Sequence, residues 1–233
     1  MTQKWKTDPK LHSCNTVDNN GQLNKELDYE KTYIKEFLDS DPIKDWESID
    51  RCIKLWEFFD DLVGYKLNPN KSELFILDCG TKDGQFPEYL KLMDYKSIGI
   101  EISQQYVKYA NSLNRNVEYG DVCNLKYKDN TFDVVFSHHL LGLVSDYKLA
   151  LKEMMRVLST YGYLVTLNDI PGNKKKHYSY IEDISIVKNW LLSSEFPDNR
   201  IIYFDRNPLM PNTNEKILIL EKRENIIEIG EDE

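Results

Sequence analysis

Residues 75–84 read FILDCGTKDG, an apolar run that contains the carboxylate of Asp78 near its end and continues into a turn with Gly80 and Gly84. A strand that runs into a tight turn brings a backbone loop and a helix N-terminus to one point, where a polar cofactor can bind. This stretch therefore predicts the first strand of an α/β sheet, with a cofactor site at its carboxyl end.

Downstream of this stretch, short apolar segments alternate with longer segments of helical periodicity, which is typical of a parallel sheet covered on both faces. The predicted parallel strands are 74–79, 97–102, 117–119, 132–137 and 161–168. The predicted helices are 86–92, 104–113, 147–158 and 180–193. Two more strand-like segments, 200–205 and 216–222, leave no room for a crossover helix between them. They must therefore pair antiparallel, as a hairpin at the end of the sheet.

The chain divides into three parts by sequence pattern. Residues 1–70 are predicted to be a helical N-terminal extension, with two helices between 26 and 66, and this extension could act as a lid over a pocket. The polar, proline-containing stretch 68–72 predicts a hinge. The main domain is predicted at 71–223, and residues 224–233 form an acidic tail.

Composition and charge exclude several classes of protein. The 233 residues are 41% hydrophobic and carry a net charge of −9, which disfavours strong nonspecific binding to nucleic acid. No apolar run approaches the roughly 20 residues of a membrane span, and the first residues show no signal-peptide pattern, so we expect a cytoplasmic protein. The four cysteines are scattered, without the spacing of a metal site, and are expected to be reduced.

Further motifs follow the glycine turn in a fixed order: IGIEIS at 98–103, EYGDVCNL at 118–125, DNTFDVVFSHHLL at 129–141 and LKEMMRVLSTYGYLV at 151–165. Together with LDCGTKDG they resemble the class I S-adenosylmethionine-dependent methyltransferases, close to the type 11 methyltransferase domain. The resemblance covers about 74–170. It implies a Rossmann-like, seven-stranded, mostly parallel sheet, with S-adenosylmethionine as the cofactor and a methyl acceptor as the partner.

The resemblance also implies a set of cofactor-binding residues. Glu101 ends the second strand roughly 20 residues after the glycine turn, where a carboxylate can accept both ribose hydroxyls. Asp121 follows the third strand, where the family's acidic residue binds the adenine amino group. Lys82 stands where family members commonly carry the middle glycine of the turn. The full set of implied cofactor-binding residues is Asp78, Gly80, Thr81, Lys82, Gly84, Glu101, Ile102, Asp121, Val122 and Ser137.

Three residues are candidates for acid-base chemistry at the strand exits. His138 and His139 lie at the exit of the fourth strand, and Asp169 closes the fifth. A hydroxyl or protonated amine acceptor benefits from such a base. Because side chains alternate along a strand, only one histidine can readily face the cleft, and the sequence does not distinguish which. The alternative is that neither histidine takes part in chemistry.

The sequence departs from the family pattern at two places. Many relatives carry a Glu-His pair where this chain has Gly142 and Leu143. The loop that adenine N6 methyltransferases carry at the exit of the fourth strand is also absent there, which disfavours adenine N6 methylation.

Three basic residues at 174–176 could bind a phosphate-bearing acceptor or form an ordinary solvated loop. The methyl acceptor, whether small molecule, protein or RNA, stays open.

Two other functional classes share part of this pattern. A degenerate relative that binds the cofactor, or has lost it, could act through interactions alone. A nicotinamide-dependent oxidoreductase also has the strand, the glycine turn and the acidic residue, although the later motifs and the terminal hairpin count against it.

Overall fold

The computed structural model describes residues 46–144, 146–170, 181–193 and 199–223, and its centre is a sheet of seven strands in the order β3-β2-β1-β4-β5-β7-β6. The strands are β1 Phe75–Cys79, β2 Lys96–Glu101, β3 Val117–Tyr119, β4 Phe132–His138, β5 Leu158–Asp169, β6 Arg200–Arg206 and β7 Glu215–Glu221. The first five run parallel, whereas β7 pairs antiparallel with both β5 and β6. The predicted mostly parallel sheet with a terminal antiparallel hairpin is confirmed.

The helices also follow the predicted pattern. They are α1 Trp46–Val63, α2 Gln85–Leu92, α3 Gln104–Ser112, α4 Tyr147–Val157 and α5 Ile184–Leu191. The α4 residues Leu151, Met154 and Met155 are buried, as their helical spacing predicts for a face packed on the sheet. Strand β4 is covered on both sides, because consecutive residues from Val134 to Phe136 are all fully buried.

The largest difference from the predicted elements lies where α4 meets β5. The strand starts at Leu158, directly after the helix, and not at Tyr161 after a turn. Tyr161 has a φ of 64°, and the pairing of β4 with β5 is irregular at this point. Gly162 is needed here because an added Cβ would lie 2.7 Å from the carbonyl oxygen of Asp133. The glycine therefore allows close approach of two strands inside the sheet.

Helix α1 packs on the same side of the sheet as α2. Its residues Leu55, Trp56 and Phe59 are buried in one apolar cluster with strands β1, β4, β5 and β7. The Trp56 ring contacts Phe86 of α2 and Tyr95, with centroid distances of 6.2 and 5.2 Å. This packing fixes the second half of α1 and leaves its first turns beside the carboxyl edge of the parallel strands.

Some predictions concern residues outside the described ranges. These are the first N-terminal helix, the basic stretch 174–176 and the acidic tail 224–233. None of the described helices is long and apolar enough to cross a membrane.

Candidate active site

The turn after β1 is shaped by residues with positive φ. Gly80, Lys82 and Gly84 have φ angles of 75°, 57° and 74°. Gly84 precedes α2, and an added Cβ there would lie 2.4 Å from Val117 Cγ2. The N–H groups of Gly80 and Thr81 both donate to the carbonyl oxygen of Ile100, at 2.9 and 3.1 Å. The turn is thus held against the end of β2, although Lys82 occupies a conformation that favours glycine.

Glu101 connects this turn to the start of α3. Its side chain is buried, with Oε2 accepting from the N–H of Lys82 at 3.0 Å and Oε1 accepting from the N–H of Ser103 at 2.8 Å. Burial raises the pKa of Glu101, while these N–H donors act in the opposite direction. An ionised carboxylate offers roughly four acceptor sites, which is more than these two N–H groups occupy.

Asp121 stabilises the turn after β3. Its Oδ1 accepts from the N–H of Cys123 at 2.8 Å, and its carbonyl oxygen accepts from the N–H of Asn124 at 3.0 Å. Val122, the next residue, is buried, and Ile102 after β2 is half-buried. Glu101 and Asp121 therefore lie at the carboxyl ends of neighbouring strands, because β2 and β3 pair in parallel.

A pocket that is open to solvent lies between this turn, α1 and the end of β4. Its lining residues are Ile49, Cys52, Asp78, Gly80, Thr81, Lys82, Asp83, Gln85, Phe86 and His138. Burial raises the pKa of Asp78 to about 7, the Thr81 side chain acts against this shift, and the charge of Glu101 adds to it. The pocket thus brings together five of the residues predicted from the sequence.

The other predicted site residues are not among those that line the pocket. They are Gly84, Glu101, Ile102, Asp121, Val122, Ser137, His139 and Asp169. Ser137 is fully buried, and its hydroxyl donates to Thr166 Oγ1 at 3.0 Å. Thr166 Oγ1 also accepts from Asn168, whose Oδ1 accepts from the N–H of Leu141. Ser137 therefore belongs to a hydrogen-bond chain that holds the loop after β4 against β5.

The two adjacent histidines face different surroundings. His138 lines the pocket, and its Nε2 is buried without a hydrogen-bond partner among the described residues. Burial holds the pKa of His138 well below its usual value, and the positive charges of His139, Lys82 and Arg51 lower it further. These surroundings favour the neutral imidazole at pH 7.

His139 is turned toward two carboxylates. It has a φ of 53°, with Nδ1 lying 3.4 Å from Asp169 Oδ2 and Nε2 lying 3.2 Å from Glu215 Oε1. Burial alone would lower the pKa of His139, but the hydrogen bonds to Asp169 and Glu215 outweigh it and raise the pKa above its usual value. The two carboxylates therefore favour the protonated form of the ring.

Glu215, Arg51 and Asn207 are the polar residues of this region that the sequence did not predict. Glu215 is 1% exposed, and its oxygens accept from Arg51 Nη1 at 3.0 Å and from Asn207 Nδ2 at 2.7 Å. Burial raises the pKa of Glu215, yet its partners His139, Asn207 and Arg51 together hold it below the usual value. No motif marks these residues: Arg51 lies 164 residues from Glu215 and His139 lies 76 residues from it, whereas Asn207 is eight residues from Glu215.

The His139 cluster also has the spacing of metal ligands. One atom each from His139, Asp169 and Glu215 lie within 4.8 Å of one another. However, the two carboxylates meet different ring nitrogens, whose lone pairs diverge, and Arg51 already contacts Glu215 Oε1. A metal requires one nitrogen and both carboxylates on the same side. The arrangement is that of an ion-pair network.

Comparison with known proteins agrees with this architecture. A family model of the methyltransferase domain, type 11, matches residues 77–166. An uncharacterized protein of Methanocaldococcus jannaschii is 32% identical over 143 residues, which are 58% of this chain and 60% of that protein. A demethylmenaquinone methyltransferase of Staphylococcus haemolyticus is 37% identical over 75 residues, 32% of this chain and 30% of that protein. The chain thus spans less than two thirds of the length of these two relatives.

A similar fold occurs in solved structures. A crystal structure of an S-adenosylmethionine-dependent methyltransferase from Thermotoga maritima, described as a possible histamine N-methyltransferase, is 19% identical to this chain, with a TM-score of 0.57. The alignment covers 84% of this chain and 99% of that one. Residues 77–166 therefore match the methyltransferase domain, type 11, as the resemblance implied, and the chain has a fold similar to that of this solved structure.

Two buried polar atoms are relevant to the binding of S-adenosylmethionine, the cofactor that the resemblance implies. His138 Nε2 at the pocket and Ser103 Oγ beside Glu101 are both buried polar atoms without a hydrogen-bond partner among the described residues. Buried polar atoms are normally hydrogen-bonded, so unpartnered ones beside a pocket indicate groups that a polar ligand completes.

Proposed function

We propose that this protein transfers a methyl group from S-adenosylmethionine to an acceptor that enters the pocket beside His138. The observation that carries the proposal is the pocket itself, which lies where the glycine turn after β1 meets the exit of β4 and the first turns of α1. Ligands of open α/β sheets bind at the carboxyl ends of the strands, where this pocket lies.

Each cofactor-binding role is assigned to a named residue. Glu101 accepts hydrogen bonds from the ribose hydroxyls, and Asp121 accepts one from the adenine amino group. Ile102 and Val122 flank the adenine ring from the ends of their strands. The turn from Gly80 to Gly84 lies along the methionine part, with its positive-φ residues keeping the backbone close to the ligand.

The chemistry makes modest demands on the protein. When bound, S-adenosylmethionine supplies a methyl group activated by a sulfonium for in-line displacement. The chain has to align the acceptor and exclude water. Ile49, Cys52 and Phe86 provide apolar pocket walls for this purpose. His138, kept neutral by its surroundings, can accept a hydrogen bond or a proton from the acceptor through Nε2.

Two measurements test the proposal. Isothermal titration calorimetry with S-adenosylmethionine and S-adenosylhomocysteine should detect binding to the purified chain. Transfer of a radioactive methyl group is then measured with a panel of acceptors, which includes demethylmenaquinone because a similar protein is named for it. Absence of binding contradicts the proposal and favours a degenerate relative that has lost the cofactor.

The role of His138 is tested once an acceptor is known. We expect His138→Ala to lower kcat by about 100-fold, the lower end of what a positioned proton acceptor usually contributes. Thermal unfolding of His138→Ala and of the wild type is compared in parallel, so that a loss of activity is separated from a loss of the fold. Full activity in His138→Ala removes this histidine from the mechanism.

A further inference from the structure

Glu215 begins β7 at the carboxyl edge of the parallel strands, and its buried carboxylate is contacted by three other parts of the chain. Oε1 accepts from Arg51 of α1 and faces His139 after β4, and Oε2 accepts from Asn207 after β6. Ionised carboxylates are rarely buried without such partners. Glu215 therefore joins α1 to the end of the sheet at one buried point.

Arg51 lies next to the pocket wall. Ile49 and Cys52, which line the pocket, are three residues apart on α1 and share a face of the helix. The apolar residues that anchor α1, Leu55, Trp56 and Phe59, follow one to two turns later. The ion pair of Arg51 with Glu215, at 3.0 Å, thus fixes the part of α1 that precedes its apolar anchor and carries the pocket wall.

We propose that Arg51 is a positioning residue: its ion pair with Glu215 holds the first turns of α1 against the sheet and sets the pocket wall formed by Ile49 and Cys52. The inference deepens the proposed function and rests on it for the identity of the pocket. Without the ion pair, the first turns of α1 move away from the sheet more often, and the ligand loses part of its enclosure.

Removal of Arg51 should leave the fold intact. Glu215 keeps its contacts with His139 and Asn207, and the apolar anchor of α1 is unchanged. The local opening of α1 should become more frequent by about tenfold, since a hydrogen bond to a charged group is lost. Such an opening exposes Cys52, which is 8% exposed and not in a disulfide.

Cys52 provides a reporter that needs no cofactor. The rate at which a thiol reagent modifies Cys52 is measured in the ligand-free protein by peptide mass spectrometry, which separates it from the other cysteines. The variants are Arg51→Ala, Arg51→Lys and Lys54→Ala. Lys54 is the matched control, because it lies on the same helix with an exposed side chain and pairs only with Asp50 among the contacts described for it.

We expect about tenfold faster modification of Cys52 in Arg51→Ala, partial rescue in Arg51→Lys, and the wild-type rate in Lys54→Ala. The dissociation constant for S-adenosylmethionine should rise several-fold only in Arg51→Ala. A wild-type Cys52 rate in Arg51→Ala, or an equal increase in Lys54→Ala, overturns the proposal. If Arg51→Ala does not fold, Arg51→Gln replaces it, with the same expectations.

The outcomes separate this inference from the proposed function. A wild-type chain that does not bind S-adenosylmethionine contradicts the proposed function, while the Cys52 comparison still decides whether Arg51 positions α1. A wild-type chain that binds, together with unchanged Cys52 rates, contradicts only the role of Arg51.

Discussion

The two halves of the sheet's carboxyl edge are built in different ways. At the ends of β1 to β3, carboxylates accept from backbone N–H groups of nearby turns, as Glu101 does from Lys82 and Ser103. At the ends of β4 and β5 and the start of β7, side chains bind side chains, and Glu215 contacts Arg51 across 164 residues of sequence. The first half depends on local turns, and the second depends on the completed fold.

The two halves therefore differ in the kind of site they form, one built from backbone N–H groups and the other from a side-chain network. Backbone N–H groups occur at every residue, so a turn that uses them depends on little more than glycine placement and one carboxylate. A side-chain network requires particular residues from distant segments, so it can vary between relatives without loss of the fold. We expect the first half to bind the common cofactor and the second to determine the acceptor and the pocket wall.

The largest expected effect belongs to the first half. Glu101→Gln should raise the dissociation constant for S-adenosylmethionine about a thousandfold, because two hydrogen bonds to a charged group weaken together. Titration calorimetry measures this change, and thermal unfolding without ligand monitors the fold. Glu118→Gln is the control, since Glu118 is exposed on the neighbouring strand and accepts from Tyr127. Unchanged affinity in Glu101→Gln would exclude Glu101 from ligand binding.

The second expected effect belongs to the other half and should appear in stability. Glu215→Gln should lower the free energy of unfolding by about 3 kcal/mol, because Arg51 and His139 lose a buried counter-charge. Urea unfolding measures this decrease in the free energy of unfolding. Glu221→Gln, at the other end of β7, should cost less than half as much, since its described ion pair is with the single residue Arg223.

Together these two variants test the division between the halves. Glu215→Gln should weaken S-adenosylmethionine binding no more than about tenfold, through the first turns of α1 alone. If it weakens binding as strongly as Glu101→Gln, the two halves act as one site and the division is wrong.

The same division explains what the sequence could predict. The glycine turn, Glu101 and Asp121 follow strand ends in a regular order, so the apolar periodicity predicted the strands, while the family resemblance implied the roles of the carboxylates. The hairpin followed from the short connection between 206 and 215. Small errors arose where tertiary contact overrides local pattern, as at Gly162, which allows close strand approach in place of a turn.

The network around Glu215 could not be predicted from the sequence. Its members come from α1, β4, β5, β7 and the β6–β7 connection, and no spacing relates them. The directions of His138 and His139 were also open, because alternation along a strand shows only that they differ. Their placement depends on His139 adopting a positive φ, which a sequence pattern does not reveal for a histidine.

The smallest expected effect is a pH dependence of stability with opposite signs at the two histidines. The pKa of His139 is raised in the folded protein, so its contribution is present below the unfolded value of about 6.5 and is lost as pH rises through the folded value. The pKa of His138 is lowered in the folded protein, so the unfolded state takes up a proton at a higher pH than the folded state does. The stability of the folded protein therefore decreases as pH falls below about 6.5.

Single asparagine variants separate these contributions, because asparagine tolerates the positive φ of position 139 and does not titrate. The free energy of unfolding, measured in urea from pH 5 to pH 9, is compared with that of the wild type at each pH. The advantage of the wild type over His139→Asn should shrink as pH rises above 6.5, and its advantage over His138→Asn should grow as pH rises toward 6.5. Each change should be about 1 kcal/mol for one unit of pKa shift. If the stability difference between wild type and variant changes with pH in the same direction for both variants, the two rings share one environment. This result would contradict the placement of His138 at the pocket and of His139 between Asp169 and Glu215.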